Sequence, residues 1–117
     1  MVGILAVLAA GPAMGEGFAS RVVTGFADAE TCMADARRAI RDHDEGLGRR
    51  PDMAEGTASV IGFDMAPGST DVVVVCTELP EGAIATVVGH SDGPEDGSRS
   101  ATVNGVSELL RRIGPEG

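Results

Sequence analysis

The residues most suggestive of chemistry are Gly89-His90-Ser91-Asp92-Gly93, which match the GxSxG pattern of a nucleophile elbow at the end of an apolar run. In such an elbow the serine hydroxyl attacks an acyl carbon while a histidine takes its proton. Two features oppose that chemistry here. An elbow leads straight into a helix, whereas Pro94 and the Glu95-Asp96-Gly97 stretch follow Ser91. The triad histidine should lie downstream, and the other histidine, His43, lies upstream. His90, Ser91 and Asp92 therefore support only an alternative reading, a small hydrolase or metal-binding protein built on this loop.

Two acidic groups could offer oxygen donors to a cation: Asp42-His43-Asp44-Glu45, and Asp92, Glu95 and Asp96. Neither has the DxDxDG spacing that wraps calcium, and consecutive residues at a helix end diverge by about 100°. They read as solvated surface, with weak divalent binding by the 92–96 loop as the most that the spacing allows. The pairs Arg37-Arg38, Arg49-Arg50 and Arg111-Arg112 lie among acids and read as neutralised surface charge. Gly-rich phosphate loops are missing from the sequence, and Phe18, Phe26 and Phe63 are its only rings, spaced as core and not as a stacking platform. No catalytic residue, cofactor or metal ligand is assigned, and a non-catalytic binding role is preferred.

Charge narrows the partners. Nine basic residues, every one an arginine, face eighteen acidic ones, for a net charge of −9. Nucleic-acid backbones and anionic membrane surfaces repel such a chain, and a basic partner suits it. The absence of lysine and the seventeen glycines point to genomic composition bias more than to function.

At the start of the chain, Met1 to Gly15 (MVGILAVLAAGPAMG) places an apolar run, Val2 to Ala10, before Gly11-Pro12 and small residues. That is the layout of a secretory signal cleaved after Gly15, here without the usual leading positive charge. The run falls well short of the roughly 20 residues that cross a bilayer, so no stable membrane span is expected. Residues 16–117 then form a single small domain that is periplasmic or secreted. In an oxidising compartment Cys32 and Cys76 are the one available pair, and a structural disulfide between them is expected. Closing a loop of about 45 residues contributes on the order of 4 kcal/mol if chain entropy dominates.

The elements that must position these residues follow from periodicity. Ser20–Phe26 reads as a strand and Asp28–Asp44 as an amphipathic helix that stops at Gly46-Leu47-Gly48, ahead of a polar loop at Arg49–Asp52. Thr57–Met65 and Asp71–Leu79 form a hairpin across Ala66–Thr70, and Ala83–Gly89 adds a third strand after Pro80-Glu81-Gly82. Ser98–Ile113 closes the chain as a second amphipathic helix with Arg111 and Arg112 in its last turn. The expected class is α+β, a two-layer sandwich of order β-α-β-β-β-α with two helices on one face of a four-stranded, mainly antiparallel sheet.

Alternation assigns the faces. If Cys76 bridges to the first helix, Val72, Val74 and Cys76 face the core and Val73 and Val75 face away, joined by Ile61 and Val87 of neighbouring strands. A small domain should not leave that patch in water, so the open face is expected either to be an interface for a protein partner or a homodimer or to be covered by the N-terminal segment or a loop. In outline, with a helix cysteine, a strand cysteine and a closing amphipathic helix, the chain resembles small exported bacterial proteins. That outline transfers no functional residue.

Overall fold

The computed structural model describes residues 17–93 and 96–114. The expected signal, residues 1–15, and Pro94 and Glu95 of the acidic loop lie outside them.

Strand β1 (Gly17–Phe26) opens the fold. Asp28 then caps helix α1 (Ala29–Gly46), its Oδ1 accepting the Thr31 N–H at 2.7 Å and satisfying a donor that the first helical turn leaves open. Helix α1 turns Cys32, Ala36 and Ile40 to the core as its spacing predicts, with Ala39 fully buried and Met33, expected on the same face, half-buried beside them. It ends where the Leu47, Gly48 and Arg49 N–H groups fold back onto the Asp44 and Glu45 carbonyls, with Gly48 in the left-handed region at φ +76°.

The chain next forms β2 (Met53–Glu55), β3 (Ser59–Met65), β4 (Thr70–Leu79) and β5 (Gly82–Ser91), and closes with α2 (Ser98–Ile113), the span its periodicity predicts. The sheet order is β1-β5-β4-β3-β2, every neighbouring pair antiparallel. The class is α+β as expected, but the sheet has five strands and not four, and the element order gains a strand between α1 and β3. The additional strand, β2, is only three residues long. It follows Pro51-Asp52 and has little strand propensity of its own; it exists because Met53, Ala54 and Glu55 pair with Gly62, Ile61 and Val60. An ion pair from Arg37 on α1 to Glu55 (3.1 Å) ties it to the helix layer.

Both helices pack on one face of the sheet. Val72, Val74 and Cys76 of β4 are buried under them, as alternation predicts, together with Phe26, Met65 and Leu110. The disulfide forms: Cys32 and Cys76 are bonded with Cα atoms 5.9 Å apart, joining α1 to β4 through the middle of that layer. Two glycines let the helices sit close to the sheet. A Cβ at Gly62 would collide with Met65 and Ile40, and one at Gly89 would collide with Val103 of α2.

Candidate functional site

The face of the sheet that the helices leave bare is built from cross-strand rows. One row runs Ser20, Val88, Val73, Ile61, Ala54 across all five strands, and the next runs Val22, Thr86, Val75, Ser59. Neither row contains a charged side chain, in a chain of net charge −9. One end of the face carries Phe18, His90 and Asp71 in register, the Phe18 ring lying against the His90 ring with centroids 4.8 Å apart. Phe18 is 72% exposed and Val22 50%, and Phe63, Val75 and Leu79 also reach solvent.

At the other end the face is concave. Thr24, Gly25, Phe26, Leu79, Gly82 and Ile84 surround a depression of about 270 Å³, with Glu81 on its rim. It lies where the register of β1 slips between Val23 and Phe26, beside the β4–β5 turn. The open face is thus a neutral, largely apolar carpet with an acid at each end and one hollow large enough for a single apolar side chain.

Of the four residues expected on this face, Ile61, Val73 and Val75 are there. Val87 is not: it is fully buried under the helices. Strand β5 turns Ala83, Ala85 and Val87 inward, so the outward neighbour of Val73 is Val88. The polar Thr86 and His90 fall on the outward face with Val88, whereas Ala83, Ala85, Val87 and Gly89 carry no polar side chain, and this alternation marks the parity of β5. Phe18 and Phe63, expected in the core from the spacing of the rings, are exposed on the open face instead, and Val22 joins them, while Phe26 alone of the three rings is buried. The signal that could have found Phe18 and Val22 is the period-two spacing of Phe18, Ser20 and Val22, which the ten-residue strand β1 sets on one face.

The loop residues do not converge. His90 and Ser91 are consecutive in a strand and point to opposite faces. The Ser91 hydroxyl accepts a hydrogen bond from Arg99 Nε (2.9 Å), while Arg99 Nη2 donates to the carbonyls of Ser91 (3.1 Å) and Gly93 (2.9 Å). This nearly buried arginine clamps the end of β5 to the start of α2. Helix α2 begins at Ser98, where Asp96 accepts from the Ser98 N–H (3.0 Å) and hydroxyl (2.7 Å). Those bonds, the backbone one foremost, hold the Asp96 carboxyl below its ordinary pKa.

The cluster at the end of α1 also disperses. Asp42 pairs with Arg41 (3.3 Å) and Arg38 (3.6 Å), whereas buried Asp44 accepts the Ala66 N–H at 3.0 Å. His43 Nε2 lies 2.8 Å from the Ala66 carbonyl, which also accepts from the Thr102 hydroxyl (2.8 Å). Here α1 and α2 together grip the β3–β4 turn. Among the described residues, no three His, Cys, Asp or Glu side chains are grouped so as to hold a metal ion, and no helix is long and apolar enough to cross a membrane. No family model, curated protein or solved structure matches the chain.

Proposed function

We propose that this is a small exported domain that works by binding, without chemistry of its own, and that the open face of its sheet docks a protein partner whose apolar patch is bordered by basic residues. The observation that carries the reading is the pair of uncharged rows across the sheet, left in solvent while both helices cover the opposite face. An antiparallel sheet with one wet face ordinarily alternates apolar inside with polar outside. Val22, Val73, Val75, Val88 and Ile61 break that alternation, and contiguous apolar surface of this kind is characteristic of binding sites. Asp71 and Glu81 at the two ends, within a chain of net charge −9, favour a cationic rim on the partner. The disulfide suits the oxidising compartment to which the N-terminal sequence directs the chain.

The test is photo-cross-linking in the native host, with a photoreactive residue at Val75 on the open face or at Arg38 on the exposed side of α1. A discrete adduct from position 75, weakened by high salt and missing from position 38, is expected. No adduct from either position, or the same adduct from both, contradicts the reading.

A further inference from the structure

Beyond the open face, the structure points to a second interaction surface, the edge of β1 from Gly17 to Val23 that no described strand pairs with, and we infer that it pairs antiparallel with the same edge of a second copy of this chain. Among the described residues, the two edges of the sheet are β2 and β1, and they differ in kind. Strand β2 offers three residues, follows Pro51-Asp52 and ends on Glu55, so it is short, charged and poor at accepting another strand. Strand β1 is ten residues long, with no proline, no acid and one charge, Arg21. From Gly17 to Val23 it pairs residue for residue with β5, which keeps that stretch straight up to the slip near Phe26. The Ser20 carbonyl accepts from the exposed guanidinium of Arg21 (3.1 Å), the arrangement of an edge group facing solvent.

This straight stretch is self-complementary about its midpoint, Ser20. With the two-fold axis there, Ser20 faces the partner's Ser20, Arg21 faces the partner's Ala19, and Phe18 faces the partner's Val22. The last pair occurs twice and joins the two most exposed large apolar residues of the strand, both on the open face, in an aromatic to β-branched contact. No arginine is set directly against its symmetry mate. The operation is closed, so it yields a dimer and not a fibre, and it doubles the sheet with both sets of helices on the same side. Because each copy carries net charge −9, added salt relieves repulsion and strengthens the pairing, the reverse of its effect on a cationic partner.

The test uses protein recovered from export-competent cells expressing the full sequence. Light scattering from about 1 µM to about 1 mM should show the mass rising to that of two copies, at lower concentration as salt increases. Ser20→Cys should be joined into a covalent dimer by a short bis-maleimide, because Cβ atoms of facing residues lie about 5 Å apart, whereas Thr77→Cys, on an inner strand, should not. Phe18→Asp should raise the dimerisation midpoint at least about tenfold, and Phe18→Asp with Val22→Arg should restore it, since position 18 meets the partner's position 22. A single-copy mass throughout, or a dimer that Ser20→Cys does not join, overturns the inference. Neither result touches the open-face reading, which is tested separately by the adduct from Val75.

Discussion

Cys32 on α1 and Cys76 on β4 are joined by a disulfide with Cα atoms 5.9 Å apart, and this bond ties the helix layer to one face of the sheet. The open face of the sheet and the edge of β1 both lie outside this bonded layer.

Replacing both cysteines by alanine should lower stability by about 4 kcal/mol, since the bridge closes a 44-residue separation in a domain of this size. Urea unfolding of the double variant beside the parent checks the magnitude. Intact-mass analysis of protein from the native host checks the setting. A chain beginning at Glu16 and lighter by two protons than its reduced form is expected, and an uncleaved Met1 with two free thiols would remove both export and the bridge.

Helix-to-sheet spacing depends on glycine at position 89. Gly89→Ala should cost about 1–3 kcal/mol, because the added methyl collides with Val103 and both neighbours are already packed. Gly46→Ala, at the last residue of α1 where nothing lies within 4 Å, should instead be neutral or stabilising by roughly 0.5 kcal/mol. Thermal melts should show a clear fall for Gly89→Ala and none for Gly46→Ala.

Acid should weaken the two helix starts and relieve one burial. Asp28 and Asp96 are held below their ordinary pKa chiefly by backbone N–H groups of Thr31 and Ser98. An acid whose folded pKa is lowered adds stability above its unfolded value, near 3.8 here, and loses it as pH falls through the folded value. Asp35 behaves oppositely: burial raises its pKa, against the pull of Arg38, so its charged form opposes folding at neutral pH and the penalty fades on acidification. Asp28→Ala should therefore lower the melting temperature by a few degrees at pH 7 and by progressively less below pH 3.8, while Asp35→Asn should be neutral or stabilising at pH 7 and lose that advantage in acid. Melting curves of parent and variants between neutral pH and about pH 2 read both signs.

The sequence reveals the parts of this fold that local chemistry dictates. Asp28 before a run of helix formers marks the start of α1, and the 3.6-residue spacing of Val103, Val106 and Leu110 fixes α2 to the residue. Cys76 selects the inward face of β4. What stays hidden depends on pairing. Strand β2 is held by β3 and by the Arg37–Glu55 ion pair and not by its own residues. The inward choice of Val87 over Val88 is set by register with Val74, and its local trace is only the polar Thr86 and His90 on the Val88 face. The hollow at the end of the face arises from the slip in β1 and from a turn more than fifty positions later, two features that meet only in the folded chain.

The central claim is that the open face is occupied in the cell. Hydroxyl-radical footprinting in native envelope extract and in dilute purified protein measures this directly, with Leu47, exposed beyond the end of α1, as the internal control. The account predicts a several-fold drop in oxidation at Phe63, Val75 and Leu79 in the extract, with Leu47 unchanged. Equal oxidation of the three face residues in both samples would contradict it.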